Sequence, residues 1–194
     1  DLTPIYEDLK QLTKVTEINV SENKSITDLN PLSELSELNV LNCAGTNVSD
    51  INPIRNLNRI KVLDISDTKI TDVSNLRYAN VVQDFKADNN QIKDISIVEY
   101  FKDLNNLSLS GTEVSDISSL AACDNLTTLN LSETLVRDLS SIANLLKLHD
   151  LDVSNTYVSD LSPLQNMENL NFLNVEGTQV TDLQYVTNLN KLNE

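Results

Sequence analysis

The sequence predicts a right-handed solenoid of about eight coils, with one parallel β-strand per coil inside the curve and 3-10 or short helical turns outside it. Two observations carry this prediction. The first is an apolar frame: residues 126–145, LTTLNLSETLVRDLSSIANL, place Leu126, Leu129, Leu131, Val136, Leu139, Ile142 and Leu145 on it. The frame returns 22 residues later as Leu148, Leu151, Val153, Val158, Leu161, Leu164 and Met167. It stands 22 earlier as Leu104, Leu107, Leu109, Val114, Ile117, Leu120 and Cys123. Self-similarity at this period marks stacked coils, each burying its apolar face only against its neighbours. The second observation is that two spacings alternate inside each repeat. Steps of two mark a short strand with one buried face, and steps of three, with Ser, Pro and Asn between, mark 3-10 turns.

The elements follow in order. Residues 1–14 form an irregular part-repeat, in which Ile5, Leu9 and Leu12 suggest a helical turn with Thr3 as N-cap and Pro4 at the first helical position. The first complete repeat starts at Val15 and is 23 residues long, its extra residue absorbed by a bulge around Lys24-Ser25. Every later repeat is 22 long. Strand centres are expected at Ile18, Leu41, Leu63, Phe85, Leu107, Leu129, Leu151 and Leu173. Two residues on, a second side chain points inward: Val20, Cys43, Ile65, Ala87, Leu109, Leu131, Val153 and Val175. The fourth repeat is the least regular, with Ala79, Val82, Phe85 and Ala87 pairing small residues with a large ring, as volume compensation allows. With three glycines and no shift in composition, the chain reads as one domain over residues 1–194. It starts and stops inside a repeat and shows no polar cap, so a segment of a longer protein is expected.

Two polar ladders keep the same step. Asp28, Asp50, Asp72, Asp94, Asp116, Asp138, Asp160 and Asp182 open the outer turns, where an N-cap carboxylate accepts from free amides. Asn23, Thr46, Thr68, Asn90, Thr112, Thr134, Thr156 and Thr178 follow the strands, where a buried hydroxyl or amide can satisfy backbone groups of its own and the next coil. Both ladders are structural.

Bulk chemistry narrows the function. A net charge of −15 disfavours nucleic acid and anionic membrane surfaces and favours basic partners. No apolar run is long enough to insert into a membrane. Cys43 and Cys123 fall on core positions more than three repeats apart. With strands ~4.8 Å apart, that exceeds the ~7 Å Cα reach of a disulfide, so both read as small buried hydrophobes. His149 is the sole histidine, no Cys or second His completes a metal site beside it, and glycine-rich phosphate loops are absent. No enzyme, cofactor or metal is expected.

The frame LxxLxLxxTxVxDLxxLxxL resembles a leucine-rich repeat. Its period of 22 and its Asp-Ile/Leu-x-x-Leu outer segment resemble the class shared by bacterial internalins and a regulatory subunit of type-one protein phosphatase. Segments 50–54, Asp-Ile-Asn-Pro-Ile, and 160–164, Asp-Leu-Ser-Pro-Leu, are particularly internalin-like, although Thr stands after most strands where that family usually carries Asn. The resemblance covers roughly residues 12–192. It implies a non-enzymatic scaffold that recognises a protein through its concave strand face.

Side chains expected to leave that face precede and follow each strand centre, with a third outward row at Ser21, Ala44, Ser66, Asp88, Ser110, Ser132, Ser154 and Glu176. Two groups stand out as candidate partner-binding residues. Asp64, Asp84 and Asp88 gather around Lys86. Near the C-terminal end His149, Asp150, Asp152 and Phe172 lie close together, with Leu135 and Tyr157 on the adjoining edge. Aromatics framed by acids have the composition of an interface anchor. Tyr78, Val81, Ile97 and Tyr100 suggest a further, convex patch. Sequons at Asn19, Asn106 and Asn130 would place glycans on the concave face in a eukaryotic secretory route, which favours a bacterial or cytosolic origin. The expectation is a monomeric recognition segment of a bacterial surface or secreted internalin-like protein. The alternatives are a cytoplasmic scaffold or regulatory subunit, or a structural spacer.

Overall fold

The computed structural model describes Leu12 and residues 14–192, so the helical turn expected from Thr3, Pro4, Ile5 and Leu9 lies outside the described residues. Eight three-residue strands follow one another: β1 (Glu17–Asn19), β2 (Val40–Asn42), β3 (Val62–Asp64), β4 (Asp84–Lys86), β5 (Asn106–Ser108), β6 (Thr128–Asn130), β7 (Asp150–Asp152) and β8 (Phe172–Asn174). They form one parallel sheet in sequence order. The register steps by 23 residues from β1 to β2 (Glu17 opposite Val40) and by 22 thereafter. The extra residue is taken up in a turn at Lys24-Ser25, closed by the Ile26 N–H on the Asn23 carbonyl at 3.0 Å.

Between strands the chain returns through 3-10 turns, from Asn30–Leu32 to Ser162–Leu164. Most are three residues long; Ser96–Tyr100 and Ser118–Ala122 have five. Strand centres from Leu41 to Leu151 are 0–1% exposed, and one continuous aliphatic core runs from Ile26 to Leu189. Fully burying one such side chain is worth ~1.5–3 kcal/mol, so the stacking of coils drives the fold. In the last described coil that stacking is one-sided: Leu173 is half-buried and Leu183 is 53% exposed, where Leu151 and Leu161 are buried. The irregular fourth coil is explained by aromatic packing. Phe85 meets Phe101 edge to face at 5.7 Å, and Phe101 occupies in the fifth coil the place that Ala79 holds in the fourth.

The aspartate ladder works one residue earlier than an N-cap. From Asp28 to Asp182, all eight Oδ1 atoms accept the backbone N–H two residues on at 2.8 Å, ahead of the capping position itself. This is an Asx turn, which organises the corner before the 3-10 turn begins. The threonines are more local than the sequence suggested. Thr46, Thr112, Thr134 and Thr156 donate only to the carbonyl three residues back, at 2.6–2.7 Å. The bridge between coils is made by Asn90, which donates to Ala87 in its own coil and to Ile65 in the preceding one.

A third ladder joins these. Glu22, Gly45, Asp67, Asn89, Gly111, Glu133, Asn155 and Gly177 have positive φ between 55° and 68° at equivalent places after each strand. From Glu22 to Asn155 the left-handed conformation turns the N–H onto the next coil, as when Asp67 donates to the Asp88 carbonyl at 2.8 Å. Only glycine holds it without strain.

Candidate functional site on the concave sheet

Because alternate strand residues face opposite sides, each strand centre enters the core and its two flanking residues line the concave face. The first outward row reads Glu17, Val40, Val62, Asp84, Asn106, Thr128, Asp150 and Phe172, in consecutive register. The expected third row is partly withdrawn: Ser66, Ser132 and Ser154 are 6–9% exposed. The chain is already turning there, and two of the hydroxyls find partners at the rim: Ser66 Oγ accepts the Asp88 N–H at 3.2 Å and Ser132 Oγ meets Ser110 Oγ at 2.7 Å.

Asp64, Asp84, Lys86 and Asp88 are brought together on β3, β4 and the residues after them, with Asp64 opposite Lys86. Each carboxylate is held by local donors. Asp64 accepts the Ser66 N–H at 3.0 Å, Asp84 accepts the Asn106 side-chain amide, and Asp88 accepts Ser108 Oγ at 2.6 Å and the Ser110 N–H at 2.8 Å. Among the described residues the ion pairs are Arg59 with Glu37 and Lys93 with Glu113, so the exposed Lys86 ammonium is not tied to these acids.

The C-terminal candidates divide into two places. His149 is exposed, and its carbonyl accepts the N–H groups of Asn171 and Phe172 at 2.7 and 3.1 Å. Asp150 stands opposite Phe172, and Asp152 holds the Ser154 N–H at 2.8 Å and Asn174 Nδ2 at 3.1 Å. Phe172 is 49% exposed at the start of β8. Leu135 and Tyr157, 43% and 40% exposed, lie beyond the ends of β6 and β7. There the Arg137 guanidinium sits 4.2 Å from the Tyr157 ring centre, a cation–π contact that no repeating residue pattern signals.

On the convex side Tyr78 and Tyr100 are exposed, but Ile97 is 4% exposed and belongs to the core. It takes the second place of its 3-10 turn, the place where Pro31 is also buried in an earlier coil. Arg77 lies 5.0 Å from the Tyr78 ring centre, and a hydrogen bond with Glu99, reinforced by its charge, pushes the Tyr100 phenol up.

Sequence reasoning passed over one feature of the face. Val40 and Val62 are adjacent, half-buried and outward, and they floor an open groove of about 520 Å³ with Glu17 and Asp84 at its two ends. The signal was present, since both belong to the outward row, but two valines attract less notice than an exposed phenylalanine.

One parallel strand, one Asx corner and one 3-10 turn per 22 residues define the repeat, and the family described as Leucine Rich repeats (2 copies) matches residues 36–78. The chain is folded as a leucine-rich repeat solenoid. It is similar in structure to an internalin (inlF) of Listeria monocytogenes, with a TM-score of 0.83 at 25% identity, covering 100% of this chain and 63% of that one. Internalin C2 of the same organism gives 0.86 at 27% identity, covering 96% of this chain and 81% of that one. A Leptospira interrogans LRR protein shares the fold at 23% identity and a TM-score of 0.85, covering 96% of this chain and 49% of that one. This leucine-rich repeat chain therefore spans under two thirds of the inlF chain and about half of the Leptospira one. No curated protein matches it in sequence.

Proposed function

We propose that this leucine-rich repeat chain is a non-enzymatic protein-recognition module, the ligand-binding segment of a bacterial surface or secreted protein of internalin type. One observation carries the reading: a concave sheet of eight strands whose inward side chains are consumed by the core and whose outward side chains have no covering element among the described residues. Such a face is rigid before it meets a partner, so little ordering entropy opposes binding. The likeness to two Listeria internalins supports the placement in that class. Its net charge of −15 favours a basic partner and, by electrostatic steering, fast association. Among the described residues no helix is long and apolar enough to cross a membrane.

The test is affinity capture from host-cell and bacterial lysates with wild type beside a Tyr157→Ala/Phe172→Ala variant, both first shown to be folded by circular dichroism. A partner held by wild type and lost by the variant supports the module and its C-terminal anchor. Identical capture by both removes these two aromatics from the site.

A further inference from the structure

The strongest local feature of the concave face is not the exposed aromatic but the row Glu17–Val40–Val62–Asp84. In register across β1 to β4 it reads acid, apolar, apolar, acid. Elsewhere that row is Asn106, Thr128 and Asp150 until Phe172, so the two valines are the one place where adjacent coils offer an apolar floor. Beside them in the next row stand Asp64 and Lys86, leaving three carboxylates against one ammonium around the groove. Its volume of about 520 Å³ lies in the range of ligand sites, ~300–1,000 Å³.

The spacing of the four residues selects an occupant. Three strand separations of ~4.8 Å put Glu17 and Asp84 ~14 Å apart. An extended peptide advances ~3.3 Å per residue and shows every second side chain to one face. Residues i and i+4 of such a peptide are therefore ~13 Å apart on the same face, within the reach of flexible basic side chains to both carboxylates. Residue i+2 then falls ~7 Å along, above the junction of Val40 and Val62.

We infer that this groove binds an extended basic–x–apolar–x–basic segment of a partner protein, laid across β1 to β4, with Lys or Arg at both ends against Glu17 and Asp84 and an aliphatic side chain on Val40 and Val62. The inference rests on the recognition reading above and locates it.

The experiment is selection from a random heptapeptide display library on the folded chain, with a Val40→Lys/Val62→Lys variant of unchanged circular dichroism as the counter-target. The expected result is a consensus with basic residues at i and i+4 and an aliphatic residue at i+2, absent from the counter-target. A synthetic consensus peptide is then titrated by fluorescence anisotropy. Glu17→Gln and Asp84→Asn, the latter keeping an oxygen for Asn106, each weaken it by about fivefold, as an exposed ion pair allows. Moving the second basic residue to i+3 or i+5, which turns it off the face, weakens it by at least as much. No enrichment overturns the inference, and so does a purely apolar consensus or polybasic binding that ignores spacing. Such a failure is distinguishable from failure of the recognition reading, which falls only if no concave variant, neither Val40→Lys/Val62→Lys nor Thr128→Arg/Asp150→Arg two strands from the groove, loses a captured protein partner.

Discussion

Asn90 and Thr68 are joined twice across neighbouring coils: Asn90 Oδ1 accepts the Thr68 backbone N–H at 2.9 Å and its hydroxyl at 3.1 Å. The same amide donates to the Ile65 and Ala87 carbonyls at 2.8 and 3.2 Å while 2% exposed. A buried amide with all its groups satisfied is expensive to remove, because its partners remain buried without it. Asn90→Ala is expected to lower stability by about 2–4 kcal/mol. Asn90→Thr, which installs the residue used in most other coils, keeps the bond to the Ala87 carbonyl and loses less than half of that. Urea denaturation of the three proteins checks the order.

The left-handed ladder makes opposite predictions for two neighbouring coils. Glu133 holds φ at 58° without glycine's freedom, so Glu133→Gly relieves ~1–2 kcal/mol of strain against ~0.5–1 kcal/mol of added chain entropy. A small net gain is expected. Gly111→Ala does the reverse, since its φ is 67° and a Cβ there would meet Asn89 Oδ1 at 2.6 Å. A loss of about 1–3 kcal/mol is expected. Thermal midpoints moving in the same direction would contradict the account.

Ser141 carries the buried side-chain oxygen that has no partner among the described residues. Its place in the 3-10 turn is filled by Pro31, Pro53 and Pro163 in other coils. Ser141→Pro removes the orphan hydroxyl and stiffens the unfolded chain at a position whose backbone already suits proline. Stability should rise by about 1–2 kcal/mol, read as a higher urea midpoint with an unchanged slope.

Acid should loosen the outer corners. Hydrogen bonds from Ser74, Ser118 and Ser162 hold the carboxyls of Asp72, Asp116 and Asp160 below their ordinary value of 3.8. A depressed folded-state value means that the contribution is complete above 3.8 and is lost as pH falls through the lower folded value. Asp116→Asn keeps the oxygen that accepts the Ser118 N–H and cannot titrate. Its stability should therefore fall less steeply than that of wild type below this range, measured as urea midpoint against pH. Parallel curves would show that the Asx turn does not drive the acid response.

What the sequence made legible was whatever repeats by residue type. Leu129 and Leu151 sit one register step apart because both are leucines at the same place, and Asp138 and Asp160 hold equivalent amides, those of Ser140 and Ser162. The left-handed ladder repeats by conformation, through residues as different as Glu22, Asp67 and Gly111, so no residue-type step reveals it. The burial of Ile97 and the stacking of Arg137 on Tyr157 each rest on side chains that other coils do not repeat, so neither is periodic. The site was legible as a face, because outward positions follow from strand alternation. Which part of the face is shaped to hold something depended on the register pairing of Val40 with Val62 and on the acids at either end.

The concave sheet as recognition face is the central claim, and one comparison of captured partners addresses it. Thr128 and Asp150 stand opposite each other on β6 and β7, so Thr128→Arg/Asp150→Arg places two long cations on the sheet without entering the core. Beside it, Tyr78→Ala/Tyr100→Ala alters only the convex side. With both variants folded by circular dichroism, the account predicts that the arginine pair loses the partner wild type captures and the tyrosine pair retains it. Retention by the arginine pair with loss by the tyrosine pair would contradict the claim and move recognition to the convex face.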